Sequence, residues 1–251
     1  MTTRDYAPVR GLQMYYEVHG AGRPLVLLHG GVHTVELTFG ALLPDLARDR
    51  QVIAAELQGH GRTADIDREM TLPELAADVL ALLDHLGLER ADFFGFSLGG
   101  LVALQLVITA PERVGRLVLA STHYRAEGYH EEILDPALWA GSRRMPTDAD
   151  FAEMRKSYER VAPDPGHFEQ LTAKLSKNVP VIEGWRAEQL RAIPAKTLLL
   201  FGDNDFIRLE HAVEMAGLIP DAQLGILPDT THTGLPRHPE LVLPMVRPFL
   251  G

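Results

Sequence analysis

The chain has 251 residues, of which 46% are hydrophobic and 23% are charged, so it can bury a sizeable core in one α/β domain. Its net charge of −10 disfavours a general nucleic-acid binder, and the absence of cysteine excludes disulfides, thiolate metal sites and a cysteine nucleophile. Since the N-terminal segment lacks the apolar core of a signal peptide and no apolar run could span a bilayer, we expect a cytoplasmic protein that binds neither membranes nor nucleic acids.

The first 120 residues alternate between strand and helix patterns. A short strand, antiparallel and near a sheet edge, is predicted first, at 13–18. Buried strands are predicted after it, at 25–28, 52–55, 93–94 and 116–120. Helices are predicted between the buried strands, at 39–46, at 72–86 and from 101 to the residues before Pro111. Strands that alternate with helices predict an α/β fold, with a mostly parallel central sheet flanked by helices on both faces.

From 121 to 193 the pattern changes to short helices interrupted by prolines, with no buried strand. Because this insertion follows a sheet strand at the edge where ligands usually bind, we expect 122–190 to form a helical cap over the carboxyl ends of the strands. The core would then comprise 1–121 and 191–251. The sheet resumes at 197–201, a helix and a last strand follow at 209–218 and 223–227, and Pro244 and Pro248 are expected to kink or shorten a final helix at 239–250.

The run Gly95-Phe96-Ser97-Leu98-Gly99 lies between a predicted strand and a predicted helix. Gly-x-Ser-x-Gly in this context is typical of a nucleophile elbow, a sharp turn that exposes the serine hydroxyl at the head of the helix. The turn would strain the backbone of Ser97, and glycines are expected at 95 and 99 because strand and helix come too close there for a Cβ. We therefore predict Ser97 as a nucleophile, with an ordinary strand-to-helix turn as the alternative.

A serine nucleophile needs an imidazole to take its proton and a carboxylate to orient the imidazole. In an elbow-type sheet these partners follow at later strand ends, in the order serine, acid, histidine. Asp205, on the loop after the strand that resumes the sheet, is the predicted acid. Asp203, which could instead cap or brace the turn, and Asp229 are the alternatives. His232, after the last strand, is the predicted base, and His238 is the reserve.

Acyl transfer also needs N–H donors for an oxyanion. The backbone N–H of Leu98, directly after the serine, is one predicted donor. The second should come from the loop after the first buried strand, where we prefer Gly31 to Val32. His29 in the same loop is expected to brace it through hydrogen bonds rather than to move protons.

Together these segments resemble the α/β-hydrolase fold superfamily, over nearly the whole chain. The resembling segments are 25–31, 59–61, 95–100, 194–205, and His232 with Pro239-Glu240 behind it. The resemblance implies the α/β-hydrolase fold with an inserted helical cap, Asp205 and His232 as acid and base, and oxyanion donors at Gly31 and Leu98. It implies no metal and no cofactor. Two departures from the family pattern, Glu56 and Thr231, are expected to reshape the pocket edge without touching the triad.

The resemblance also limits the reaction. Haloalkane dehalogenases and epoxide hydrolases of this fold use an aspartate at the elbow, so Ser97 disfavours both. We expect a serine hydrolase that cleaves a small or medium carboxylic ester or lactone through an acyl-enzyme. A carbon–carbon bond hydrolase, a cofactor-free perhydrolase, an acyltransferase and a non-catalytic ligand receptor are alternatives, and a homodimer is left open.

The walls of the substrate pocket are the least readable part of the sequence. An apolar pocket beneath the cap is predicted from one loop residue and the large apolar side chains of the cap: Val32, Tyr124, Tyr129, Trp139, Met145, Met154, Tyr158 and Trp185. For each cap side chain taken singly, packing between cap helices is favoured over lining the pocket.

Overall fold

The computed structural model describes residues 2–178 and 184–251, and within them eight strands form one sheet in the order β1-β2-β4-β3-β5-β6-β7-β8. The strands are β1 (Thr2–Val9), β2 (Leu12–His19), β3 (Arg23–Leu28), β4 (Arg50–Ala55), β5 (Ala91–Phe96), β6 (Val114–Ala120), β7 (Thr197–Asn204) and β8 (Ala222–Thr231). Strands β3 to β8 run parallel, whereas β1 and β2 are antiparallel to their neighbours. The predicted mostly parallel α/β sheet is confirmed.

Helices lie on both sides of this sheet. In the described residues they are α1 (Val35–Phe39), α2 (Leu43–Leu46), α3 (Leu72–His85), α4 (Leu98–Thr109), α5 (Glu131–Leu134), α6 (Asp148–Glu159), α7 (Phe168–Asn178), α8 (Ala187–Arg191), α9 (Leu209–Leu218) and α10 (Pro239–Leu250). The predicted start of α3 is confirmed, because the hydroxyl of Thr71 accepts the N–H of Glu74. None of these helices is both long and apolar enough to cross a membrane.

The apolar runs of the central strands are explained by burial on both faces. Along β3, Val26 and Leu28 face the core formed with α3 and α4, whereas Leu25 and Leu27 face the core formed with α1, α2 and α10. Successive side chains of a strand point to opposite faces, so a strand covered on both sides needs apolar residues at every position. This is why continuous rather than alternating hydrophobicity marked these strands.

Strand β1 is missing from the sequence prediction. Six of its eight residues, Thr2 to Tyr6 and Pro8, are exposed, so it shows no hydrophobic pattern. It is joined to β2 by a two-residue turn in which Arg10 and Gly11 both have positive φ, 47° and 87°. That geometry suits the twist of a tight hairpin, and Gly11 was its only signal.

Of the two expected effects of the prolines, shortening of the last helix is not observed, since α10 runs from Pro239 to Leu250 with both prolines inside it. Pro244 and Pro248 are four residues apart and both are exposed, so the carbonyls that lose a hydrogen bond face water. The opposite side of the helix buries Val242 and Val246 against the sheet.

The insertion between β6 and β7 is helical where it is described. It contains α5 to α8, and its one strand-like contact is an isolated antiparallel bridge between Tyr129 and Ile207. Residues 179–183 of the predicted cap lie outside the described part of the chain. The division into a core and a cap of 122–190 stays a prediction.

At the amino ends of the strands, a buried carboxylate ties neighbouring strands together. Asp92 on β5 is 1% exposed and accepts hydrogen bonds from Arg50 (2.6 Å), Arg23 (2.9 Å) and the backbone N–H of Arg116 (2.7 Å). Arg50 is itself buried, and Asp92 is the carboxylate that compensates the charge of its guanidinium.

We expect Asp92→Asn to lower the free energy of unfolding by about 3 kcal/mol, because it leaves the buried guanidinium of Arg50 without a carboxylate. Urea denaturation measures this change. The matched control is Asp84→Asn: the Asp84 side chain is 67% exposed in its ion pair with Arg113, and its loss should cost less than about 1 kcal/mol. Equal losses for the two variants would contradict the structural role given to Asp92.

Candidate active site

Ser97 occupies the turn between β5 and α4 with a backbone conformation rare for a residue with a side chain, φ 52° and ψ −115°. The two flanking glycines are required by space. A Cβ at Gly95 would lie 2.4 Å from the carbonyl oxygen of Gly99, and one at Gly99 would lie 2.0 Å from that of Leu28. The turn therefore has the tight backbone that the Gly-x-Ser-x-Gly run predicted.

The three residues predicted to form a triad lie in one hydrogen-bonded row. His232 Nε2 is 2.9 Å from Ser97 Oγ, and His232 Nδ1 is 2.7 Å from Asp205 Oδ1. Because a carboxylate only accepts, Nδ1 carries the ring proton, and Nε2 is free to accept the serine hydroxyl. This is the arrangement that nucleophilic catalysis by serine requires.

Asp205 is fully enclosed and well supplied with donors. Besides His232, the hydroxyl of Ser121 and the N–H groups of Gly202 (3.4 Å) and Ile207 (3.3 Å) bond its oxygens. Burial raises the pKa of Asp205, but the nearby His232 and these hydrogen bonds outweigh it and hold the pKa below its ordinary value. The carboxylate therefore stays ionised beside the imidazole.

The alternative acids and base lie elsewhere. The carboxylate of Asp203 accepts the backbone N–H groups of Asp229 (3.0 Å) and Thr230 (2.9 Å), just ahead of His232. His238 pairs with Glu240 at the exposed start of α10, 2.9 Å away. Asp203 thus braces the backbone just ahead of His232 through hydrogen bonds, which agrees with the bracing role considered for it.

Two neighbours of the row were missed from the sequence. Ser121 follows β6 directly, has a positive φ of 53° and bonds Asp205. The ring of Phe206 stacks on His232 with centroids 3.9 Å apart and planes 6° from parallel. Both residues come just after the ends of parallel strands, so the position after each strand was the signal that could have found them.

Both predicted oxyanion donors lie beside Ser97. Leu98 is the first residue of α4, so its N–H has no acceptor within the helix. Gly31 and Val32 line the same cavity, and Val32 has a φ of 55°, an unusual value for a β-branched residue. The role of these N–H groups stays a prediction.

His29 braces the loop that carries Gly31. Its ring is completely buried, donates from Nδ1 to the carbonyl oxygen of Gly30 (2.8 Å) and accepts the N–H of Leu57 at Nε2 (3.0 Å). Burial lowers the pKa of His29 well below its ordinary value, so the ring is neutral. These bonds fix the loop to the chain after β4, as expected from the sequence.

A cavity of about 340 Å³ opens at Ser97 and His232. Four of the predicted lining residues do line it, namely Val32, Tyr129, Met145 and Met154. Further apolar walls come from residues that the sequence analysis did not name for this role: Phe96, Leu101, Phe151, Leu175 and Phe206. The cavity is therefore mainly apolar, and helices α6 and α7 of the insertion form one side of it.

The other four predicted lining residues do not reach the cavity, because each is engaged elsewhere. Tyr124 stacks on His211 and bonds Glu214, Tyr158 packs against Phe168, Trp185 donates to Gln105, and Trp139 is 44% exposed on the surface. The prediction that they line the pocket is wrong. Packing and hydrogen bonding within the insertion and against the core determine their positions.

The two departures from the family pattern also lie off the cavity. The hydroxyl of Thr231 accepts the N–H of Gly234 (3.1 Å) in the turn around His232. Glu56 is completely buried. Its carboxylate accepts the backbone N–H groups of Arg62 (2.5 Å) and Val35 (3.3 Å). Neither side chain lines the cavity, so the expected change at its edge is not observed. Burial raises the pKa of Glu56 to about 7.

The fold and the site define a class of protein. A mostly parallel sheet that holds serine, histidine and aspartate in a row at its carboxyl edge, with the serine in an elbow, is the arrangement of the α/β hydrolases. No three histidine or carboxylate side chains among the described residues converge as a metal site would need.

Comparisons with known proteins agree with this class. Residues 23–142 match the family model of the alpha/beta hydrolase fold. The chain is 31% identical over 252 residues to a poly(3-hydroxyalkanoate) depolymerase of Ectopseudomonas oleovorans, covering 90% of this chain and 84% of that protein. It is 29% identical over 267 residues to a 2-hydroxymuconate semialdehyde hydrolase of Pseudomonas sp. strain CF600, covering 96% and 91%.

Among solved structures, the 2-hydroxy-6-oxo-6-phenylhexa-2,4-dienoate hydrolase of Rhodococcus sp. strain RHA1 has the same fold, with a TM-score of 0.82 at 21% identity over 100% of this chain and 99% of that one. The chain belongs to the α/β-hydrolase fold superfamily. The relatives named here are hydrolases, and the comparisons support hydrolase function for this chain.

The raised pKa of Glu56 leads to a prediction about pH. A carboxyl group with a folded-state pKa of about 7, above its unfolded value near 4.5, contributes stability that is present at low pH and is lost as the pH rises through 7. From pH 5 to pH 8 we expect wild type to lose on the order of 2 kcal/mol more than Glu56→Gln. Urea denaturation at both pH values measures this difference. Glu188→Gln, at an exposed position on α8, should keep the wild-type pH dependence; parallel profiles for wild type and Glu56→Gln would contradict the prediction.

Proposed function

We propose that the protein is a serine hydrolase that cleaves small or medium uncharged carboxylic esters or lactones through an acyl-enzyme. The observation that carries the proposal is the hydrogen-bonded row of Ser97, His232 and Asp205 at the floor of an apolar cavity. A serine hydroxyl becomes a useful nucleophile only with such a base, and the cavity supplies the apolar surroundings that an ester chain needs.

In the proposed reaction, Ser97 Oγ attacks the ester carbonyl carbon while His232 Nε2 takes the hydroxyl proton. The N–H groups of Leu98 and Gly31 hold the negative oxygen of the tetrahedral intermediate. His232 then gives the proton to the departing alkoxide, and a water molecule repeats the sequence to release the acid and restore Ser97. Asp205 keeps the imidazole in the tautomer with the proton on Nδ1 and stabilises it when it is charged.

The electrostatics of the cavity support an uncharged substrate. No lysine or arginine is found among its described lining residues. The second histidine of the wall, His33, has its pKa lowered to about 3 by burial and by its charged neighbours, so it is neutral at ordinary pH. A substrate carboxylate would lose its hydration here without gaining a cationic partner, which is costly.

A carbon–carbon bond hydrolase is the second candidate, because the relative from Pseudomonas sp. strain CF600 is named a 2-hydroxymuconate semialdehyde hydrolase, and a semialdehyde of this kind has no ester bond to hydrolyse. The same triad would serve that chemistry. The name describes an acid, however, and the absence of a cation among the described cavity residues supports the ester instead. Assay of both substrate types with one preparation separates the two: faster cleavage of the semialdehyde than of p-nitrophenyl butyrate would favour the second candidate.

We expect purified protein to hydrolyse p-nitrophenyl acetate, butyrate and hexanoate, and Ser97→Ala to lower kcat/KM by at least about 10³-fold, since the nucleophile is removed. A fluorophosphonate probe should label wild type and leave Ser97→Ala unlabelled. Equal background hydrolysis by the two proteins would remove Ser97 from the mechanism, and a folded wild type that resists the probe would favour a ligand receptor.

The acid is tested separately. Asp205→Asn should lower kcat by about 10⁴-fold while the fold persists, because an amide no longer holds the imidazole in the tautomer that accepts the serine proton. The matched control is Asp229→Asn. Asp229 lies near the end of β8 and was the second alternative for the acid. Its φ of 49° suits asparagine, and its activity should stay within a few-fold of wild type. A larger loss of kcat in Asp229→Asn than in Asp205→Asn would contradict the assignment of Asp205 and identify Asp229 as the acid.

A further inference from the structure

One polar side chain in the cavity wall has no part in the triad chemistry. His33 follows the loop of Gly31 and Val32 and is 6% exposed. It lines the cavity together with Phe96 and His232, and its ring centroid is 5.8 Å from that of Phe96. Among the described lining residues, His33 and His232 provide the side-chain nitrogens, and His232 is already committed to Ser97 and Asp205.

The orientation of the His33 ring follows from its one bonded nitrogen. Nδ1 lies 3.0 Å from the hydroxyl oxygen of Thr38 on α1. No described residue forms a hydrogen bond with Nε2. This nitrogen is also not completely enclosed by the protein. Since the residue is otherwise buried and lines the cavity, Nε2 is the nitrogen that faces it.

The same contact determines which nitrogen carries the proton. If Nδ1 donated to Thr38, the threonine hydroxyl proton would be left without an acceptor among the described residues. The arrangement that satisfies both Nδ1 and the threonine hydroxyl has the Thr38 hydroxyl donating to Nδ1, and a neutral imidazole then carries its proton on Nε2. The cavity wall therefore presents a fixed N–H donor, in contrast to the rotatable hydroxyls of its serine and threonine residues.

We propose that His33 is a specificity-determining residue that donates its Nε2–H to a second oxygen of the substrate. The preferred esters would then carry an ether, hydroxyl or carbonyl oxygen in addition to the ester group. A buried donor that a substrate leaves unpaired costs free energy, so the site should discriminate against chains with a methylene at that place. This inference rests on the proposed ester hydrolysis and narrows its substrate class.

The test is an oxygen scan with paired esters. In each pair one methylene of the acyl or alcohol chain is replaced by an ether oxygen, as in p-nitrophenyl butyrate and p-nitrophenyl methoxyacetate. The ratio of kcat/KM within a pair is measured for wild type and for His33→Phe. The two esters of a pair differ in chemical reactivity, but this difference is the same for both proteins and cancels when their ratios are compared. For at least one oxygen position we expect His33→Phe to lower the ratio by about 3- to 10-fold. His33→Gln, which keeps an N–H donor, should restore most of the preference.

A second variant tests the tautomer without altering the cavity wall. Thr38→Val has nearly the same shape but cannot donate to Nδ1, so the proton is no longer held on Nε2 and the ratio should fall at the same oxygen position. Thr197→Val is the matched control. Thr197 is equally buried, but its hydroxyl bonds Ala195 at the opposite edge of the sheet, so the ratio should remain that of wild type.

The inference is overturned if the ratio stays the same in His33→Phe at every oxygen position. An equal loss on both members of every pair gives that result, and it would mean that His33 only shapes the cavity. If wild type hydrolyses no ester, the proposed function fails by itself. The role of His33 is then decided by calorimetric binding of the same pairs to Ser97→Ala and to Ser97→Ala with His33→Phe, where an unchanged difference in affinity would overturn it.

Discussion

The site depends on the register between the last two strands. Gly202 of β7 pairs with Leu227 of β8, but Asn204 pairs with Thr231, so β8 has two extra residues between these pairs. Because of this shift, Asp205 and His232 are the residues that directly follow the paired ends of β7 and β8, and their side chains bond at 2.7 Å. Without the extra residues a different residue of β8 would face Asp205 and the imidazole would not meet the serine. Asp203 holds this bulge by accepting two of its backbone N–H groups.

This register explains what the sequence could and could not predict. Ser97 was identifiable because its constraint is local: two glycines and a turn within five residues. The pairing of Asp205 with His232 followed from the order of strand ends in a parallel sheet. The bulge depends on hydrogen bonds between the two strands, so a linear pattern could suggest that Asp203 braces a turn but could not show that it holds the backbone of β8. Tyr124 and Tyr129 show the same limit, since only Tyr129 forms the bridge to Ile207 and lines the cavity.

The insertion is tied to the same loop that carries the histidine. Arg237, five residues after His232, donates to Asp150 (2.6 Å) and Glu153 (2.8 Å) on α6. Helix α6 also supplies Phe151 and Met154 to the cavity wall. One helix therefore shapes the cavity with its apolar side and contacts the loop after β8 with its acidic side. The position of the cavity wall and the position of His232 are thus coupled through direct contacts, and this coupling does not depend on where the cap is taken to begin and end.

The two titratable side chains Asp205 and His33 differ in charge: Asp205 is ionised, whereas His33 is neutral. Asp205 is ionised, and four donors satisfy it, so its charge is balanced before any substrate enters. His33 is neutral and presents a single donor to the cavity, because its other nitrogen is bonded to Thr38. Among the described lining residues no lysine or arginine can pair with an anion, and His33 provides a fixed side-chain donor for a neutral oxygen. The proposed selectivity for neutral, oxygen-bearing esters rests on the cost of desolvating a charge and of leaving a buried N–H unpaired.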